Sequence, residues 1–161
     1  MLRFAIVSLF VFLIFTAELI IAHLDWLWFQ PNLMIILIVF FNLFRGTRYS
    51  VFAALLGGLF KDSFSAGIFG LHIFSYILCA FSTTLVKMYV YQVGSMASRL
   101  LMVFLISLLN AVVQLILNLM FGSILASEGF LFVLIPEVLS TTLATVFLFE
   151  WLKQCALKLF A

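Results

Sequence analysis

Acid–base, nucleophilic or metal chemistry would have to come from a short inventory: Asp25 and Asp62, four glutamates, His23 and His72, Cys79 and Cys155. An intramembrane aspartyl peptidase needs two aspartates held a few ångströms apart in polar surroundings. Asp25 lies instead in an aromatic segment, HLDWLWFQPN, from His23 to Asn32, and no Asn-rich stretch accompanies it. A serine protease needs its nucleophile beside a partner histidine, and neither Gly94-Ser95 nor Gly122-Ser123 has that context. Lipid phosphotransfer needs several acids converging on a metal, and a phosphate cradle needs a Gly-rich loop; the chain has neither. The cysteines sit inside apolar runs without Cys-x-x-Cys or ligand spacing and read as packing residues. His72 has no second histidine or acid at ligand spacing and reads as a hydrogen-bonded helix residue. No nucleophile–base or metal constellation assembles. The expectation is a protein without catalytic residues, cofactor or metal.

The elements that carry these residues follow from composition. Of 161 residues, 67% are apolar and 9% are charged, and Phe alone contributes 21. A soluble domain is roughly half apolar and a quarter charged, so a water-facing surface could not be covered. A net charge of +2, with no basic run longer than two residues, offers no surface for nucleic acid. A helix needs about 20 apolar residues to cross a bilayer core of about 30 Å. Charges, glycines and prolines divide the chain into six such runs, about 4–22, 31–44, 49–65, 71–87, 100–121 and 131–152, in a single transmembrane domain. The fold expected is an all-α integral membrane protein, a six-helix transmembrane bundle. The second run is short, covering roughly 20 Å at about 1.5 Å per residue. A re-entrant hairpin over 31–60 is its rival, but would bury Arg45 and Arg48 at mid-membrane, which is costly. The first run is too long for the apolar region of a secretory signal and has no small-x-small site before Asp25, so it is read as retained.

Charge sets the orientation. With six crossings, Arg3, Arg45, Arg48, Lys87, Arg99, Lys153 and Lys158 fall on one side and only Lys61 on the other. That places both termini in the cytoplasm. Trp26, Trp28 and Phe29 read as an outer aromatic belt, and Tyr89, Tyr91 and Trp151 as an inner one.

Polar residues inside the spans are the informative ones. Ser107, Asn110, Gln114 and Asn118 share one face of the fifth span by steps of three and four. His72, Ser75, Tyr76, Cys79, Ser82 and Thr83 share a face of the fourth. Glu137, Thr141 and Thr145 do so in the sixth, and Glu18 stands alone in the first. These faces are expected to point inward, with Glu18, Asn110, Gln114, Asn118 and Glu137 forming a polar interior. They serve either as hydrogen-bonding glue between helices, worth roughly 0.6–2 kcal/mol per bond, or as the lining of a ligand cavity. In the third span, Ala53-x-x-x-Gly57 and Ala54-x-x-x-Gly58 permit close helix approach. Lys61 and Asp62 follow one turn later. Adjacent residues on a helix do not face each other, so Lys61 is expected to snorkel to the headgroups. Asp62, too short for that, must find a donor, cap a helix end or line water. Gly67 and Gly70 then allow a tight break.

The segment QPNLMIILIVFFNLFRG, the small-residue third span and GLFKDSFSAGIFGLH together resemble the rod shape-determining membrane protein MreD family. The matching positions are Pro31, Arg45, Arg48, Gly57, Gly58, Asp62, Gly70, Leu71 and His72, within residues 31–76. Elsewhere the likeness is one of hydropathy, plus Pro136 near the start of the sixth span. The resemblance implies a non-enzymatic scaffold subunit of the bacterial cell-elongation machinery in the cytoplasmic (inner) membrane. It implies a fold like that of the substrate-binding subunits of energy-coupling-factor transporters. It implies association with the bitopic protein MreC, and through it with the MreB filament, RodA and its transpeptidase partner. On that basis Gly57, Gly58, Asp62, Gly67, Gly70 and His72 are expected to form or support a groove for a partner's transmembrane helix. Membrane lipid and a second copy of the chain are the other partners its helix faces could meet. The competing reading is a vitamin-transporter binding subunit with the polar faces around a ligand; against it, Ala17 and Ala22 are five apart and make no Ala-x-x-x-Ala docking pair.

Overall fold

The computed structural model describes residues 2–23, 30–65, 69–90, 95–121 and 127–160. They form six helices: α1 Leu2–His23, α2 Leu33–Arg45, α3 Thr47–Phe64, α4 Leu71–Val90, α5 Met96–Phe121 and α6 Ser127–Phe160. No strand occurs among the described residues. Within α1, α4, α5 and α6, the stretches Arg3–His23, Leu71–Tyr89, Met96–Met120 and Ile135–Cys155 are long and apolar enough to cross a membrane. The other two helices do not meet that measure. α3 has 18 residues but carries Arg48, Lys61 and Asp62. α2 has only 13 residues.

The shortness of α2 has a physical counterpart. Every residue from Leu33 to Leu43 is buried. A helix apolar on all sides belongs inside other protein, and α2 packs against each of the other five helices. Around it the chain closes an arc in which α1 meets α3, α3 meets α4, α4 meets α5 and α5 meets α6. α6 and α1 share no comparable interface among the described residues. Successive helices alternate in direction. Glu18, Asn32, Lys61, His72, Gln114 and Glu137 meet at one end of the bundle, and Asn42, Thr47, Thr84 and Lys87 at the other.

At about 1.5 Å per residue α2 spans roughly 20 Å, less than the hydrocarbon thickness. Its ends therefore need partners within the protein. At the C-terminal end Lys87 Nζ donates to the carbonyls of Asn42 and Leu43 at 3.3 and 3.1 Å. Asn42 Nδ2 donates to the Ala80 carbonyl at 2.8 Å and to Thr84 Oγ1 at 3.0 Å. Gly46, at φ +94°, turns the chain directly into α3, so α2 and α3 form a tight antiparallel hairpin. Nearby, Arg99 lies over the rings of Phe44 and Phe149, about 6 Å from each centroid, and 3.6 Å from Glu150. Tyr89 and Trp151, two of the expected inner belt, are exposed at this same end; Tyr91, Trp26, Trp28 and Phe29 lie outside the described residues.

The two glycines of α3 are used inside the bundle. A Cβ on Gly57 would fall on Met34 Cε, the flexible tip of a side chain. A Cβ on Gly58 would fall 2.5 Å from Ile73 Cα and 2.8 Å from its backbone nitrogen. Both glycines are buried: Gly57 packs against Met34 of α2 and Gly58 against Ile73 of α4. Met34 can swing away, and alanine recovers up to about 1 kcal/mol of helix propensity. The Ile73 backbone cannot yield. Gly58→Ala should cost about 1–3 kcal/mol and clearly lower the melting temperature of the purified protein in detergent. Gly57→Ala should lie close to wild type. Equal melting temperatures for the two variants would contradict this packing.

Candidate functional site

Asp62 occupies the last turn of α3, and its side chain is fully buried. The chain leaves α3 at Ser65 and re-enters helix at Leu71, which brings the start of α4 under the carboxylate. Gly70 N and Ile73 N donate to Oδ2 at 2.9 and 3.2 Å, and His72 N donates to Oδ1 at 3.1 Å. His72 Nδ1 lies 2.8 Å from Oδ1, a contact that requires the proton on Nδ1 because the carboxylate can only accept. Of the three fates open to Asp62 from sequence, capping is the one adopted, and the cap belongs to the next helix. The first N–H groups of a helix lack intrahelical partners and favour a negative charge. Gly70 sits at φ +102°, a conformation that glycine adopts without strain. Gly67 lies outside the described residues.

Lys61 Nζ is 2.6 Å from Glu18 Oε1, with side-chain exposures of 25% and 16%, so an ion pair holds it. The partner lies 43 residues away on α1, out of reach of any pattern within one helix. A charge in an apolar bundle is held by an opposite charge in preference to standing alone.

A third cluster holds the N-terminal end of α2. Asn32 N donates to Thr141 Oγ1 at 2.8 Å, Asn32 Nδ2 to Glu137 Oε1 at 2.9 Å, and Tyr76 Oη to Asn32 Oδ1 at 2.9 Å. One asparagine thus ties α2 to α4 and α6. Sequence reasoning passed over it, although an asparagine directly ahead of an apolar run is a helix-start signal.

Between these clusters lies a cavity of about 710 Å³. Glu18, Asn32, Lys61, His72, Gln114 and Glu137 contribute its polar lining; Phe15, Leu19, Ile21, Phe64 and Pro136 are among its apolar walls. Of the expected polar interior, Glu18, Gln114 and Glu137 come together here. Asn110 does not reach it. Its Oδ1 accepts from Ser75 Oγ at 2.5 Å, a buried bond between α4 and α5. Asn118 is also elsewhere: its Nδ2 donates to the Gln114 carbonyl of its own helix. Ser75, Tyr76, Cys79 and Thr83 are buried along one face of α4, as their spacing implies. Cys79 is a buried free thiol and Cys155 a half-buried one.

Among the described residues no group of three His, Cys, Asp or Glu side chains could hold a metal. His72 is engaged by Asp62, and Glu18 by Lys61. Asp25 lies outside the described residues. Fold and site together define a helical membrane protein whose polar side chains join helices and line one cavity.

The chain belongs to the rod shape-determining protein MreD family, whose model matches residues 1–157. That is a family of shape-determining membrane proteins of the rod complex and not an enzyme family. No curated protein and no solved structure matches the chain.

Removing the Asp62 carboxylate strands up to four donors in a buried site. Loss of a cap costs about 0.5–2 kcal/mol, and unsatisfied buried donors add about 1–3 kcal/mol. Asp62→Ala should therefore lower the thermal stability of the detergent-solubilised protein more than Gly57→Ala does. Asp62→Asn, which keeps one acceptor oxygen, should fall between Asp62→Ala and wild type. An Asp62→Ala protein melting with the wild type would show that the carboxylate is not the cap.

Proposed function

We propose that this protein is a non-enzymatic scaffold of the rod complex that helps organise lateral peptidoglycan synthesis through helix–helix contacts with MreC. MreC in turn links it to MreB, RodA and the transpeptidase. The protein crosses the bacterial cytoplasmic membrane six times with both termini inside, and its bundle is akin to the substrate-binding subunits of energy-coupling-factor transporters. The observation that carries the scaffold reading is where the polar groups are used. Asp62, Asn32, Asn42 and Lys87 all bond within the chain. The outward side chains are apolar ones such as Leu9, Phe12, Phe81, Leu85 and Ile116. A protein of this kind acts on partners through its membrane faces and its shape. Membership of a shape-determining family favours this reading over a vitamin-transporter subunit.

The orientation rests on basic charge. Arg3, Arg45, Lys87 and Arg99 belong to one end of the alternating bundle and Lys61 to the other, the asymmetry that retains Lys/Arg-rich ends in the cytoplasm. Six crossings with α2 as the inner one also remove the cost of a lipid-exposed short helix, because its ends are satisfied by protein.

Two measurements test the proposal. A green fluorescent protein fusion at either terminus should fluoresce, and an alkaline phosphatase fusion at either terminus should be inactive; active phosphatase at one end would overturn the even number of crossings. Co-expressed MreC should co-purify with the wild-type protein. Asp62→Ala should reduce its recovery at unchanged expression, by loosening α4 against α3 and not by removing a direct contact. Absence of MreC from the wild-type preparation would contradict the partner assignment.

A further inference from the structure

The cavity at the Glu18 end exists because α2 starts late. Among the described residues, Glu18 of α1, Lys61 of α3, His72 of α4, Gln114 of α5 and Glu137 of α6 surround the space beyond the start of α2. The space, about 710 Å³, is ample for a small molecule or the head and upper chain of an amphiphile. Its polar groups are held in place by hydrogen bonds: Glu137 by Asn32, Lys61 by Glu18 and His72 by Asp62. Prearranged polar groups among apolar walls are the usual make-up of a ligand site.

We propose that this cavity binds a molecule carrying a primary ammonium group on an apolar stem. The charge balance sets the sign. Among the described residues of the lining, counted at their formal charges, Glu18 and Glu137 face one ammonium, Lys61, and Asp62 is already matched by donors from α4. Among the described residues the buried Glu18 Oε2 has no hydrogen-bond partner, and Glu137 accepts one side-chain hydrogen bond, from Asn32. An ammonium supplies three donors and one positive charge, and an excess carboxylate in a weakly polar interior favours it strongly. The stem packs on Phe15, Leu19 and Phe64. Among the described residues α6 and α1 share no extended interface, and both contribute to the lining, which leaves an approach between them. The same head chemistry is offered by phosphatidylethanolamine in the bilayer and by a soluble alkylamine. This inference does not depend on the MreC assignment.

The test is a thermal-shift titration of the purified full-length protein in detergent. The probes are hexylammonium, hexanoate, phosphatidylethanolamine, and phosphatidylglycerol with the same acyl chains. Hexylammonium is expected to raise the melting temperature saturably and hexanoate is not. Glu137→Gln, which can still accept from Asn32, should weaken the response roughly tenfold or more, as for loss of one charged hydrogen bond. Gln114→Trp, which touches no ion pair and fills the space, should abolish it. Stabilisation by phosphatidylethanolamine over phosphatidylglycerol, with a weaker hexylammonium response, identifies lipid as the source; a hexylammonium response without the lipid preference identifies a soluble amine. Stabilisation by hexanoate, no response to either amine, or an amine response unchanged in both variants would overturn the proposal.

Discussion

A short helix enclosed by the other five governs this structure. α2 has 13 residues, and the stretch from Leu33 to Leu43 is buried throughout. The backbone groups at its two ends lack intrahelical partners. Other helices must bring hydrogen-bonding side chains to them. α4 does so at both ends, with Tyr76 reaching Asn32 near the start and Lys87 reaching the last carbonyls. α6 adds Glu137 and Thr141 at the start. The register of α4 and α6 against the centre is thereby set by polar contacts at fixed heights. Apolar packing alone could slide by a turn with little change in buried area.

The remaining polar features follow from that geometry. Pinning α4 against α2 and α3 requires close approach at Gly58, where the Ile73 backbone occupies the space of a side chain. It also brings the start of α4 under Asp62, whose carboxylate satisfies the exposed N–H groups of that helix. Gly58 and Asp62 lie one turn apart on α3 and face the same neighbour, so close packing and capping are one interface seen at two heights. The late start of α2 leaves a hollow. The Lys61–Glu18 pair and Glu137 line that hollow, where bonded partners offset part of the cost of burying charge.

Much of this was legible in the sequence, and the reason is the scarcity of polar residues. Six helices, the inward face of α4 and the importance of Asp62 all follow from exceptions in an apolar chain. The helix-glue reading of Asn110 is matched by its bond to Ser75. What escaped was pairing across distance. Lys61 and Glu18 are 43 residues apart, and no periodicity within one span shows which helix lies opposite. A small-residue stripe likewise says only that something approaches closely, and at Gly57 and Gly58 that something is α2 and α4 of the same chain. Asn32 and Asn42 were passed over because they stand at the edges of the shortest run. The brevity of that run was itself the signal, since a helix too short to cross alone needs polar residues at its ends.

Oxygen accessibility of nitroxide labels placed singly at positions 34–41 of the reconstituted protein tests the central role of α2 most directly. A helix enclosed on every side gives uniformly low accessibility along the whole segment, well below that of a label at Phe81 on the outward face of α4. A rise and fall with a period of about 3.6 residues would show that α2 presents a stripe to lipid, and would contradict its place at the centre of the bundle.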